Sequence, residues 1–174
     1  ILLLIPIFQL RILLKSYSDK GYRDYFSQRY GRNLTKVNRQ KKKIIWFHAV
    51  SLGEVIGSQN VIKLFLKTHD VVLTTTTPTG FRKAQAIYKD TLAINYAPWD
   101  LNIFINRFLD FHQPVALLIF ETEIWPAMIS QANKAHIPIF LVNGRLSAQS
   151  FNAYSKISWL VSSILGMIDL VFVQ

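Results

Sequence analysis

Three glutamates stand out as side chains able to move a proton. Glu54 closes the stretch His48-Ala49-Val50-Ser51-Leu52-Gly53-Glu54, and Glu121 and Glu123 lie in Glu121-Thr122-Glu123-Ile124-Trp125-Pro126. A carboxylate set in a loop can serve as a general base, orient a sugar hydroxyl or hold a cation. Each motif also has a plainer reading. Ser51 and Glu54 have the spacing of a capping box, in which both side chains satisfy the free amides of a helix start. A carboxylate there also has its charged form favoured by the helix dipole, which keeps it available as a base. Glu121 and Glu123 are two apart, so on an extended backbone they point to one side. Ion pairing with Arg145 is their structural alternative. The run Thr74-Thr75-Thr76-Thr77-Pro78-Thr79-Gly80 offers hydroxyls and a helix N-terminus to an anion; threonine is equally a strand former, and Pro-Thr-Gly a capped turn.

Other chemistries are missing. There is no cysteine among the 174 residues, which excludes disulfides, thiolate metal sites and thiol catalysis. His48, His69, His112 and His136 lack metal-ligand spacing. Neither the P-loop nor the GxGxxG fingerprint occurs, nor a G-x-S-x-G elbow.

The elements that must position these loops alternate. Apolar runs at Ile44–His48, 71–75, 92–96, 115–120, 137–142 and Leu170–Val173 read as strands. Helical spacing predicts helices over 53–67, 81–88, 101–111, 125–134 and, with breaks, 148–165. The unbroken apolar run 115–120 suggests a strand buried on both faces. Six strands alternating with helices imply an α/β fold, a Rossmann-like parallel sheet with helices on both faces. Ligands bind such sheets at the carboxyl ends of the strands, where every loop named above falls. Of the eight acidic residues beyond residue 43, four (Glu54, Asp100, Glu121 and Glu123) are in these loops.

Charge divides the chain differently. Residues 1–43 hold eleven of the twenty Lys and Arg but two of the ten Asp and Glu, so nine of the ten net positive charges sit there. A neutral domain with a basic collar argues for a membrane surface and against nucleic acid. Ile1–Leu14 is apolar except for Gln9 and Arg11. As a helix it would measure roughly 21 Å, short of a hydrocarbon core of about 30 Å, so it either lies in the interface or ends a longer span. Tyr17, Tyr22, Tyr25, Phe26 and Tyr30 interleave with the arginines as rings at a headgroup boundary would. A buried N-terminal helix with a solvated basic face is the plainer alternative. The reading is a membrane-associated segment over 1–43 and an α/β domain over 44–174. Starting at Ile1 without Met and stopping at Gln174 after an apolar run, the chain reads as part of a longer protein.

Taken in order, GYRDYFSQRYG, IIWFHAVSLGEV, TTTTPTG, APWD, ETEIWP and NGRLSAQS make the chain resemble the 3-deoxy-D-manno-oct-2-ulosonic acid (Kdo) transferases, from about Gly21 onward. Gly144 stands where the family usually has alanine. The resemblance implies the N-terminal, acceptor-binding half of a GT-B glycosyltransferase, with a donor half for CMP-Kdo outside this chain. It implies an inverting transfer of Kdo to a lipid A precursor (lipid IVA) in lipopolysaccharide biosynthesis, no cofactor or catalytic metal, and a place on the cytoplasmic side of the cell inner membrane. Glu54 matches the family's general base. Ser51, Gly53, Thr79, Gly80, Glu121, Glu123, Asn143, Arg145 and Ser147 are carried over as acceptor-binding positions. Residues 1–174 alone are expected to be inactive. The alternatives are another membrane-associated GT-B transferase acting on a lipid-linked sugar, or a non-catalytic membrane-docking α/β module.

Overall fold

The computed structural model describes residues 17, 19–38, 43–89, 91–145 and 158–173. Within them β1 (Ile44–His48), β2 (Asp70–Thr75), β3 (Ala93–Tyr96), β4 (Ala116–Phe120), β5 (Ile139–Gly144) and β6 (Leu170–Val173) form one sheet. Every pairing is parallel, in the order β3-β2-β1-β4-β5-β6. The helices between them are α1 (Leu52–Gly57), α2 (Gln59–Phe65), α3 (Pro78–Tyr88), α4 (Asn102–His112), α5 (Pro126–Lys134) and α6 (Ser158–Leu165). The Rossmann-like sheet expected from the alternating pattern is therefore present.

Successive strand residues point to opposite faces, and both faces are covered. Ile44 and Trp46 join Leu117, Ile119 and the inner sides of α4 and α5, with Phe108 and Met128 fully enclosed. Ile45 and Phe47 face the other way, against Val55, Ile62, Phe81 and Ala84. Burial on both sides is why β1 and β4 are unbroken apolar runs.

Helix boundaries moved where local chemistry acts. The helix expected over 53–67 is two helices that meet at Ser58, a buried residue whose hydroxyl donates to the Val55 carbonyl. Gly57 beside it weakens the helix at the same place. α3 starts three residues early because Thr77 caps it and Pro78 is preset for a first turn. β5 starts two residues late, after Pro138, which has no amide to donate.

Residues 19–37 lie along the β3 edge. The Tyr96 amide donates to Gln28 Oε1 (2.9 Å) and the Thr35 amide to Asn95 Oδ1 (2.7 Å), while Leu34 and Val37 enter the core. These contacts cover an edge that would otherwise be open to pairing. Tyr25 packs on Phe81, and Tyr30 packs edge-on to Phe104, so those rings are partly held by the protein itself. Ile1–Leu14 and all of 146–157, Ser147 included, lie outside the described residues.

Candidate functional site

Strand order reverses between β1 and β4, and in open α/β sheets the crevice at that reversal is where ligands bind. The first turn of α1, after β1, carries Glu54 and the loop after β4 carries Glu121 and Glu123, which are the only glutamates in the chain.

Glu54 makes both contacts of a modified capping box. Ser51 Oγ accepts from the Glu54 amide at 3.3 Å, and Glu54 Oε2 accepts from the Val50 amide at 2.7 Å, one residue before the cap. The residue is only 6% exposed. Burial raises its pKa above the usual carboxylate value; the Val50 and Ser51 bonds oppose this, and the negative charges of Glu123 and Glu121 add to it. Burial outweighs the stabilising bonds, which makes the group a stronger base than a free carboxylate. Capping and base chemistry are thus compatible here.

Glu123 accepts from the Trp125 indole N–H at 3.0 Å. Burial, and secondarily the charge of Glu121, raises its pKa. Glu121 has φ of 63°, so the extended backbone assumed for the pair is not what the loop adopts. The turn is closed by the Glu123 amide donating to the Glu121 carbonyl (3.1 Å). Ion pairing with Arg145 is also overturned: among the described residues the one ion pair is Arg82–Asp19. Arg145 is exposed and meets this loop through its backbone, which donates to and accepts from the Thr122 hydroxyl.

The threonine run is committed inward. Thr75 Oγ1 (2.8 Å), Thr76 Oγ1 (3.1 Å) and the Thr76 amide (3.0 Å) all donate to the Val50 carbonyl. Thr77 Oγ1 accepts from the Gly80 amide, and the exposed Thr79 hydroxyl donates to Thr77. An anion cradle built on Thr75, Thr76 and Thr77 is therefore replaced by a support for the Ser51 turn plus a helix cap. Gly80 is a close approach, since a Cβ there would sit 2.6 Å from Thr75 Oγ1. Gly53 has room, its nearest neighbour to such a Cβ being Ser51 Oγ at 3.8 Å. Asn143 sits half-buried at φ 63°, a region asparagine tolerates.

Three further residues surround these loops; the sequence reading gave His48 and Arg29 no role and named Asp100 only as one of the strand-end acids. His48 ends β1, fully buried, with Nδ1 2.8 Å from Thr74 Oγ1 and its ring edge-on to Trp125. Burial pushes its pKa down to about 3, so it is neutral at ordinary pH. Asp100 accepts the Ala127 and Met128 amides at 3.1 and 2.8 Å and so caps α5. Arg29, 2% exposed, donates to the Thr76 carbonyl and lies 4.3 Å above the Tyr96 ring. Only Asp100 had a sequence signal, its place beside a strand end.

Comparison with known sequences now decides the family. A family described as 3-deoxy-D-manno-octulosonic-acid transferase (kdotransferase) matches residues 24–174. The chain belongs to the Kdo transferase family. It is 33% identical over 97% of its length to the 3-deoxy-D-manno-octulosonic acid transferase of Haemophilus influenzae, covering 40% of that protein. It is 31% identical over 95% of its length to a probable mitochondrial 3-deoxy-D-manno-octulosonic acid transferase of Arabidopsis thaliana, covering 38% of it. A bifunctional glycosyltransferase/methyltransferase of Fusobacterium nucleatum matches at 28% identity, covering 26% of that protein. The chain thus spans about two-fifths or less of these relatives. In this Kdo transferase chain the described residues include no helix long and apolar enough to cross a membrane, and no cluster of three or more metal-ligating side chains.

Proposed function

We propose that the full-length polypeptide is an inverting glycosyltransferase that moves Kdo from CMP-Kdo to a lipid A precursor, lipid IVA, with Glu54 as general base. The observation that carries this reading is a buried carboxylate of raised pKa at the sheet's reversal point, in a chain of the Kdo transferase family. Glu54 takes the proton of the acceptor hydroxyl as its oxygen attacks the anomeric carbon of Kdo. The bond to CMP breaks with its electron pair on the phosphate, which leaves without a strong acid. Ser51, Gly53, Thr79, Gly80, Glu121, Glu123, Asn143, Arg145 and Ser147 line the acceptor side, Glu121 and Glu123 orienting sugar hydroxyls. A second Rossmann-like half, in a GT-B arrangement, holds the donor. The apolar Ile1–Leu14 and the basic collar seat the enzyme on the cytoplasmic face of the inner membrane, where anionic headgroups and the acceptor's phosphates attract the same cations.

The test is a transfer assay on the full-length polypeptide in detergent, with CMP-Kdo and a tetraacylated lipid A precursor. Glu54→Gln is expected to lose on the order of 10²–10⁴ in rate while melting as the wild type does. No transfer by the wild type overturns the proposed activity. A variant that fails only by melting early leaves Glu54 as a cap.

A further inference from the structure

We propose that Thr75 and Thr76 are positioning residues for Glu54, acting through the backbone of Val50. The inference rests on the reading of Glu54 as the base.

The backbone of Val50 is held on both sides of its Cα. Its carbonyl receives two threonine hydroxyls and the Thr76 amide, at 2.8, 3.1 and 3.0 Å. Its N–H points at Glu54 Oε2, at 2.7 Å. A carbonyl rarely takes three donors, and neither threonine hydroxyl has another acceptor among the described residues. Thr75 is fully buried and ends β2, so its hydroxyl is carried by the sheet. Gly80 completes the grip, because only a residue without Cβ lets α3 lie against both Thr75 Oγ1 and the backbone of Ser51. The sheet therefore fixes the Val50–Ser51 peptide, and the Ala49–Val50 peptide, joined to it at the Val50 Cα, holds one carboxylate oxygen. A carboxylate that accepts a backbone N–H has its ionised form favoured and one rotamer selected. This gives the threonine run a task that its strand propensity alone does not explain.

The charged groups facing Glu54 are Glu121 and Glu123, from the loop after β4. α3 packs on α1 with Gly80 against the Ser51 backbone, and no charged side chain of α3 is among the groups that shift the carboxylate. His48, at the end of β1, is neutral. Loosening Val50 therefore removes a bond that opposes burial and the like charges, and the Glu54 titration must rise.

The experiment reads that titration directly, by NMR of carboxyl-labelled glutamate in the full-length protein, with Glu54 assigned by its loss in Glu54→Gln. In the paired variant Thr75→Val with Thr76→Val, the Glu54 titration is expected to move up. The transfer rate should fall on the order of ten- to a hundredfold, in kcat rather than KM. The Thr75→Ser, Thr76→Ser pair keeps both hydroxyls and restores both readings. In a Glu54→Gln background the valine pair should cost nothing further, because it acts through a group already gone. If the pair melts early, Thr76→Val alone, at a half-buried position, gives the same shift in smaller measure. An unchanged Glu54 titration in a folded variant overturns the proposal. A raised titration in a protein whose wild type transfers no Kdo upholds the positioning and overturns the proposed activity.

Discussion

His48 stands edge-on to Trp125, ring centroids 5.2 Å apart at 79°, and Trp125 in turn donates its indole N–H to Glu123. Behind His48, Thr74 Oγ1 accepts from the Trp46 indole at 2.9 Å, so a buried strand end backs the loop after β4. The pKa of His48, lowered from 6.5 to about 3 by burial, gives a sign that can be checked. Between those values the unfolded chain binds a proton that the native state refuses, so stability falls as pH drops from about 6.5 toward 3. The raised Glu54 and Glu123 act oppositely, losing stability as pH rises through their shifted values. From pH 7 to pH 5 the urea midpoint should therefore fall less, or rise more, in His48→Gln than in wild type. Equal slopes in the two proteins would show that the imidazole is not held neutral.

Gly80 and Gly53 are expected to respond oppositely to alanine. In a helix, alanine gains roughly 1 kcal/mol over glycine. At Gly80 the new Cβ meets Thr75 Oγ1 at 2.6 Å, and that oxygen is tied to Val50 and cannot swing away. Overpacking of this kind costs about 1–3 kcal/mol, so Gly80→Ala should lower the melting temperature. Gly53→Ala meets nothing closer than 3.8 Å and should raise it slightly. A loss of transfer in Gly53→Ala despite that gain would mark Gly53 as a place where the acceptor approaches the backbone.

Much of this fold was legible because parallel strands buried on both faces are written as apolar runs, as Ile44–His48 and Ala116–Phe120 are. The strand-end loops followed from the alternation and Glu54 from its motif, while the reversal point is set by the order of strands in the sheet. What stayed hidden depends on contacts distant in sequence. Thr74 and His48 are 26 residues apart, and no local spacing says that their side chains meet. Nor does the threonine run reveal that its hydroxyls turn back to Val50 rather than outward. Arg29 looked like any other cation of the basic collar until packing put it over Tyr96 and Trp99. Burial lowers its pKa to about 10, a mark of a charge held out of water that composition cannot display.

Asp100 belongs to the fold and not to the chemistry, although it falls beside the same strand ends as the glutamates. Both of its oxygens are occupied by the first amides of α5. Asp100→Ala should cost about 1–2 kcal/mol of stability, and Asp100→Asn less, since one acceptor oxygen remains. Transfer by the folded fraction should be unchanged in both. A rate loss at full folding would place Asp100 in contact with substrate instead.

Glu123→Gln separates the electrostatic role of Glu123 from its role as a hydrogen-bond partner. The amide oxygen can still accept the Trp125 indole N–H, so the loop keeps its shape while a negative charge beside Glu54 is removed. Like charges disfavour ionisation, so the Glu54 titration should fall, though burial, the largest effect on it, keeps it above the ordinary carboxylate value. The acid limb of kcat/KM against pH should then move to lower pH, opposite to the direction expected for the threonine-to-valine pair. An acid limb that stays in place means that Glu123 does not act on Glu54 through its charge. Loss of transfer at every pH, with the fold intact, means that Glu123 holds the acceptor itself.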